Sequence, residues 1–308
     1  MSPLPKERVL GLAWAAAAIA IWSGSLVMLR LGVTTNLNAY DLTALRVGVA
    51  ALVLAPVICR NGFALRRLGV GGVLAMVVGF GAPYILLISL GLGTAPASAA
   101  GSLNPGVMAV VSVLLGWRLF GDRIDPARIV GVVAILVGAS FFAGVLGAET
   151  ASVGHLILVF TGVMWAGYAL VVRRAGIAAL HATAIVAVGS AILYLPVYIA
   201  ALPKQLPVAP VPDIVAQALF QGVFVSVVAV FAFNRSRELL GPVVGATLPA
   251  LIPLVTLGLG VVVLDEAAGA RDLASATLIG VGVALTLAGH APGRWPGMTR
   301  FRKVFRNA

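Results

Sequence analysis

The stretch GSLNPGVMAVVSVLLGWRLFGD (residues 101–122) returns in outline 144 positions later as GATLPALIPLVTLGLGVVVLDE (residues 245–266). In each copy a glycine precedes a proline by four positions, and an acidic residue follows that proline by 17 positions. The matched residues are Gly101, Pro105 and Asp122 in the first copy and Gly245, Pro249 and Glu266 in the second. A proline and an acid shared at one offset indicate an internal repeat.

The repeat also covers the start of each half. GLAWAAAAIAIWSGSLVMLR (11–30) matches GHLILVFTGVMWAGYALVVR (154–173), with a tryptophan and an arginine in each copy 143 positions apart. Each copy holds five long apolar runs. Five is an odd number, so if every run crosses a membrane the second copy must enter from the opposite side. Inverted repeats of this kind are typical of secondary transporters.

Composition supports a membrane protein. The 308 residues are 61% hydrophobic and 10% charged, with a mean hydropathy of +1.08, whereas soluble domains carry about 25% charged residues. A helix needs about 20 apolar residues to cross a bilayer. We therefore predict an all-α membrane protein of ten transmembrane helices, arranged as two inverted five-helix repeats in residues 1–148 and 149–308. The predicted spans are 9–30, 39–59, 69–91, 95–117, 127–146, 154–173, 181–202, 213–234, 241–264 and 273–291.

The net charge of +11 reports topology. Of the 21 basic residues, 17 fall on the side of the two termini and three on the other side, and Arg46 lies within a span. Basic loops stay in the cytoplasm, so both termini are predicted to be cytoplasmic, and the basic tail is predicted to contact lipid. No nucleic-acid motif accompanies the charge, so no nucleic-acid partner is expected. One cysteine and three scattered histidines predict no metal site and no cofactor.

Several features together resemble the drug/metabolite transporter superfamily, in particular its EamA-type exporters. They are the two five-span repeats, the Trp-Ser-Gly of span 1 (residues 22–24), Arg46 in span 2, the small-residue run into Asn104-Pro105, and the break FGDRIDPARIVG (120–131). Within that superfamily the chain is most similar to the YddG-type exporters of aromatic and other neutral amino acids. The resemblance implies export of small solutes across a bacterial inner membrane.

The distribution of acidic residues bears on mechanism. All ten carboxylates fall near span ends or in loops, and none falls at a predicted midplane. This pattern favours a facilitator or exchanger of neutral or zwitterionic solutes that works by alternating access. A proton-coupled drug or metabolite carrier and a channel are the alternatives, and the chain shows no enzyme motif. The expected partners are a small-molecule substrate, an amino acid by preference, and the bilayer, with the protein acting as a monomer.

Polar and aromatic residues inside the spans are candidates for substrate binding, because such groups are costly in lipid and mark solute pathways. Asn104 is the first choice, because its counterpart in the second repeat is an apolar leucine. The structural alternatives are an interhelical hydrogen bond for Asn104, extension of Arg46 to the interface beside Asp41, and packing for the others. Phe231 and Phe233 are assigned to the interface. The binding candidates are Asn104, Trp22, Tyr84, Trp165, Tyr168, Ser98 and Arg46.

Three glycine–proline pairs are candidate hinges. Proline lacks an N–H, so the carbonyl four residues earlier is left free and the helix can bend there. Bending of spans 3, 4 and 9 during alternating access is the functional interpretation, and a static kink that shapes a cavity is the alternative. The pairs are Gly79 with Pro83, Gly101 with Pro105, and Gly245 with Pro249.

Overall fold

The computed structural model describes residues 6–142, 152–240 and 248–288, and the regular structure of this part of the chain is helical. A π-helical segment (Ala218–Val228) joins α9 to α10, and a 3-10 turn (Leu248–Leu251) leads into α11. The α-helices are α1 (Lys6–Thr34), α2 (Ala39–Asn61), α3 (Leu65–Phe80), α4 (Ala82–Leu92), α5 (Ala97–Phe120), α6 (Pro126–Phe142), α7 (Val153–Ala175), α8 (Ala179–Ala201), α9 (Val211–Gln217), α10 (Ala229–Leu240), α11 (Ile252–Leu264) and α12 (Ala270–Ala288).

These helices confirm the predicted ten-helix fold. Eight helical stretches are long and apolar enough to cross a membrane, and the two shorter apolar helices Pro126–Phe141 and Pro249–Leu264 bring the number to ten. Helices form because lipid offers no partner to a backbone N–H or C=O, so each span must satisfy its own. Leu52 and Val262 are each 79% exposed, whereas Gln221 and Thr161 are fully buried. This distribution of apolar outside and polar inside suits a surface that faces lipid.

The two halves run in opposite directions. We call the end of the bundle where α1 begins the N-terminal face and the other end the opposite face. Near the end of α1, Arg30 donates to the carbonyl of Leu92 at the end of α4. At the start of α7, Gly154 lies against the carbonyl of Gly91, also at the end of α4. Since α7 begins where α1 ends, the repeat is inverted, as predicted.

The halves are interleaved through equivalent helices. α6 packs against α12, α2 against α8, and α1 and α7 each against the third span of the other half. Gly131 in α6 and Gly282 in α12 contact each other reciprocally. A Cβ at Gly131 would lie 2.7 Å from the carbonyl oxygen of Gly282, and a Cβ at Gly282 would lie 2.6 Å from that of Gly131. A reciprocal contact of this kind is expected on the pseudo-twofold axis that relates the repeats.

The predicted third span (69–91) is one apolar run but two helices. The chain breaks at Gly81, where φ is −97° and ψ is −143°, and α4 begins directly after it. The Ser190 hydroxyl of α8 occupies the space that a Cβ at Gly81 would need, and it accepts a hydrogen bond from the N–H of Ala82 at 3.0 Å. Pro83 then sits in the first turn of α4, where its missing N–H costs nothing.

The eighth span differs from a regular helix as well. Its middle is π-helical from Ala218 to Val228, and such segments are frequently found at functional sites. The predicted end of span 5 and the predicted boundary between the repeats fall on residues 143–151, outside the described residues. The predicted start of span 9, the predicted end of span 10 and the basic tail fall on residues 241–247 and 289–308, which are also outside them.

Candidate functional site

Asn104 lies at the centre of a buried hydrogen-bonded chain that joins both halves. Its Oδ1 accepts from the Tyr84 hydroxyl at 3.0 Å, and its Nδ2 donates to the Thr161 hydroxyl at 2.8 Å. All three residues are at most 5% exposed. The amide therefore connects α4, α5 and α7 across the interface between the repeats. This geometry matches the interhelical hydrogen bonding weighed as its alternative role, and substrate contact by Asn104 remains a prediction.

Arg46 reaches a second buried polar group. Its Nη1 donates to Gln221 Oε1 at 3.3 Å, and Gln221 exchanges two further hydrogen bonds with Ser25, at 3.0 and 2.9 Å. The Arg46 side chain is partly accessible, although Gln221 and Ser25 are buried. Among the residues that the structure describes, no carboxylate lies within ion-pair distance of Arg46.

Asp41 forms no ion pair with Arg46, so it is not the partner of this arginine, and extension of Arg46 to the interface remains a prediction. The Asp41 carboxylate caps the start of α2 by accepting from the N–H of Asn38 at 3.3 Å. It also accepts from the Tyr198 hydroxyl at 2.6 Å and from the N–H of Gln205 at 2.9 Å. Asp41 is therefore a fully buried carboxylate with a structural set of partners. The Arg46 guanidinium, which stays protonated in proteins, is left to amide and hydroxyl neighbours.

Three of the predicted aromatic residues share one cluster, around a residue that sequence analysis missed. The Phe80 ring lies 4.8 Å from Tyr84, 5.5 Å from Trp165 and 4.8 Å from Tyr168, between ring centroids. The Tyr84 hydroxyl also interacts electrostatically with the Arg46 guanidinium. Tyr84 thus links the aromatic cluster to the Asn104 amide through a hydrogen bond. Phe80 precedes Tyr84 by four positions, but nothing in the sequence distinguishes it from the other phenylalanines of the apolar runs.

Trp22 lies apart from this cluster. Its ring packs on Phe233 of α10, with centroids 5.1 Å apart, and its other apolar neighbours include Ile19 and Ile252. Each repeat-related tryptophan therefore packs on a phenylalanine from the third span of the other half: Trp165 stacks on Phe80, and Trp22 meets Phe233 at a tilt of 54°. Phe233, assigned from the sequence to the membrane interface, contributes to this arrangement.

The small residues of α5 pack closely. A Cβ at Gly101 would lie 2.5 Å from Cβ of Thr256 in α11. Ser98, at 6% exposed, lies one turn earlier, next to Ala97, whose N–H is bound by Glu266. This contact supports close packing of α5 on α11.

The three prolines of the candidate hinges lie in different local structures. Pro105 lies inside α5 and Pro249 in the 3-10 turn before α11, while Gly245 is outside the described residues. Pro83 lies just after the helix break at Gly81, and Gly79 packs on α7, where its Cβ would be 3.0 Å from the carbonyl oxygen of Met164. Bending at these positions during alternating access remains a prediction.

A cleft of about 260 Å³ opens at the opposite face and is separate from the polar centre. It lies between the α1–α2 turn and the end of α4, and its lining includes Asn38, Ser89 and Gln205. None of the predicted binding residues lines it.

We expect the Tyr84–Asn104–Thr161 chain to stabilise the fold. Asn104→Leu, which restores the residue type of the second repeat, should lower the free energy of unfolding by about 1–3 kcal/mol because two buried hydroxyls lose a partner. Tyr84→Phe should cost less, and the double variant should cost less than the sum of the two single variants, since both remove one bond. Thermal melting of the four proteins in detergent measures this cycle. Strict additivity would contradict the hydrogen bond.

The chain is similar to a known protein family and to a solved structure. The model of the EamA-like transporter family matches the chain twice, over residues 9–144 and 152–288. No curated protein matches the chain. One solved crystal structure superposes with a TM-score of 0.60, covering 94% of this chain and 99% of its own, at 22% sequence identity. Likeness at that identity concerns the fold alone, whereas the two family matches together cover most of the chain.

Proposed function

Because the chain belongs to the EamA-like transporter family, whose members are membrane transporters, we propose that it exports small neutral or zwitterionic metabolites. Aromatic and other neutral amino acids are the proposed substrates, and alternating access between the two repeats is the proposed mechanism. The single observation that carries the proposal is the position of Tyr84. Its ring packs on Phe80 in the aromatic cluster, its hydroxyl donates to the Asn104 amide, and it lies within electrostatic range of the Arg46 guanidinium.

An amino acid has groups that suit both sides of this arrangement. Its carboxylate would bind Arg46, which holds a single long hydrogen bond to Gln221 and no carboxylate partner among the described residues. Its side chain would lie against the rings of Phe80, Trp165 and Tyr168. Ligand pockets commonly combine an apolar wall with a few oriented polar groups. Asn104 and Ser98 would contribute polar contacts nearby.

The membrane orientation and the energy source are proposed from the distribution of charge. The excess of basic residues on the side of the termini supports a cytoplasmic location for both ends in a bacterial inner membrane. The carboxylates of the described part of the chain lie at helix ends or in turns, and the buried one, Asp41, is engaged in capping. We therefore propose a facilitator or exchanger, driven by the gradient of the solute itself.

The substrate class is tested by competition in proteoliposomes that exchange labelled phenylalanine. Unlabelled leucine and tryptophan should compete, because each offers a carboxylate and an apolar side chain. Phenethylamine, which has the ring and the amine without the carboxylate, should compete at least about tenfold more weakly, because it leaves the Arg46 guanidinium without a partner. Equal competition by phenethylamine would contradict a role for Arg46 and favour a carrier of organic cations. Flux that does not saturate would favour a channel.

A further inference from the structure

Among the residues that the structure describes, two ion pairs connect the halves, one at each face of the bundle. At the N-terminal face, Arg173 at the end of α7 binds Asp122 after α5 in a bidentate pair, with N···O distances of 2.7 and 2.9 Å. At the opposite face, Arg30 near the end of α1 lies 3.5 Å from Glu266 after α11. Arg30 and Arg173 are repeat-related, and so are Asp122 and Glu266. Each pair thus joins the first helix of one half to the fourth span of the other.

The same local structure presents both acids. The N–H of Asp122 donates to the carbonyl of Gly116 at 3.2 Å, and the N–H of Glu266 donates to that of Gly260 at 3.2 Å. In each case the residue before the acid is left-handed, with φ of +67° at Gly121 and +53° at Asp265. In both copies, the N–H of the left-handed residue and the N–H of the acid donate to the same carbonyl, five and six residues earlier.

A glycine beneath each carboxylate leaves room for it. A Cβ at Gly116 would lie 2.7 Å from Asp122 Oδ2, and a Cβ at Gly260 would lie 2.7 Å from Glu266 Oε2. The carboxylate therefore folds back over the last turn of its own helix toward the arginine of the other half. The same turn therefore places a carboxylate against an arginine of the other half at both faces of the bundle.

We propose that the Arg173–Asp122 and Arg30–Glu266 pairs are the two gates of the transporter, each holding one face closed. The proposal rests on the transport function proposed above. Rocking one half against the other must separate the pair at the face that opens, whereas the pair at the closed face can persist. The four side chains are between 15% and 35% exposed, so water reaches each charge when its pair opens. Partly exposed ion pairs are modest in strength, which suits a gate that opens in every cycle.

The two gates are not equivalent in strength. Arg30 divides its guanidinium between Glu266 and the carbonyl of Leu92. The Glu266 carboxylate in turn accepts from the N–H of Ala97 at 2.9 and 3.1 Å, which ties the start of α5 into the gate. Arg173 forms both bonds of a bidentate pair and lies 4.4 Å over the Phe120 ring.

The test measures opening at each face in full-length protein without substrate. In a Cys59→Ser background, which removes the single cysteine, spin labels are placed at pairs of exposed positions. Thr35→Cys with Ala268→Cys reports on the opposite face, and Arg123→Cys with Ala178→Cys reports on the N-terminal face. Double electron–electron resonance spectroscopy of the protein in lipid nanodiscs gives the distance distribution between the labels of each pair.

Breaking one gate should move only its own face outward. Glu266→Gln should raise the longer-distance population of the Thr35–Ala268 pair about fivefold, and Asp122→Asn should do the same for the Arg123–Ala178 pair, as expected for loss of a partly exposed ion pair. At the other face the longer-distance population should fall or stay unchanged. Arg30→Gln and Arg173→Gln should reproduce the effects of their partners, so that one poorly folded variant does not decide the result.

Glu238→Gln is the matched control. It removes a carboxylate from an ion pair with Arg235 that lies within one helix, α10, so it should change neither distribution. If Glu266→Gln and Asp122→Asn act on the same face, or if neither changes any distance, the gates are wrongly assigned. Because these measurements contain no substrate, they fail or succeed separately from the proposed amino-acid transport.

Discussion

Replacing Arg46 with glutamine is expected to lower kcat/KM for phenylalanine transport by about 100-fold, because removing one member of a desolvated charge pair costs about 2–5 kcal/mol. Arg46 lies within the membrane-spanning helix α2, and no carboxylate among the described residues forms an ion pair with it. Initial rates of labelled phenylalanine entry into proteoliposomes, measured over a range of concentrations, give the ratio directly. Most of the loss should fall on KM, because the contact exists in the bound substrate.

Two further variants sharpen this prediction. Arg46→Lys keeps the positive charge and loses the fork of parallel donors, so it should restore part of the rate. Arg60→Gln is the matched control, since Arg60 is an exposed arginine near the end of the same helix, and it should leave the kinetics unchanged. Wild-type kinetics in Arg46→Gln would show that this arginine plays a structural role only.

The contact between the two halves at Gly131 and Gly282 leaves no room for a larger side chain, so substitution there should destabilise the protein. Gly282→Ala is expected to lower the Tm by about 5 °C, because overpacking costs about 1–3 kcal/mol. The new Cβ would meet the Gly131 carbonyl oxygen at 2.6 Å and the N atom of Ile135 at 2.9 Å. Both are backbone atoms, so a change of rotamer cannot relieve the clash. Thermal melting of the purified protein in detergent measures the effect.

Gly258→Ala provides the comparison in a second helix. A Cβ at Gly258 meets nothing within 4 Å, and alanine is the better helix former, so its Tm should be unchanged or slightly higher. Equal melting of the two alanine variants would mean that α6 and α12 do not approach as closely as described.

The sequence was sufficient to predict the architecture. Apolar runs of about 20 residues predict transmembrane helices by length alone, and the offsets of Trp, Arg, Pro and acid predict the inverted pair. The sequence did not predict the exact position of a helix break, because that position depends on contacts with residues far away in the chain. Pro83 indicated a bend in the third span, but the break falls at Gly81, because Ser190 from α8 occupies the space beside it.

The residues of the candidate site were predicted in part from their type and their position within apolar spans. Tyr84, Trp165 and Tyr168 were selected as aromatic residues within apolar spans, and they do meet. Phe80, which holds them together, resembles any other phenylalanine of an apolar helix. Gln221 carried a clearer signal that was not used: Gln217 and Gln221 are spaced by one turn within a span, and such polar side chains inside a membrane indicate a buried interaction.

The ion pairs between the halves were predicted only in part. The acid at the end of each fourth span and the arginine at the end of each first helix were visible as repeat matches. Their pairing across the halves was not, because sequence offsets relate equivalent residues and do not show which residues touch. In three dimensions Asp122 meets Arg173 and Glu266 meets Arg30.

The most direct measurement of the central claim is counterflow in proteoliposomes treated with a protonophore. The vesicles are loaded with unlabelled phenylalanine and diluted into a trace of labelled phenylalanine, with no proton gradient. Transient accumulation of label above equilibrium, saturating with concentration, is the predicted result for a carrier driven by the solute itself. Failure to accumulate phenylalanine or any other neutral amino acid would contradict the proposed function.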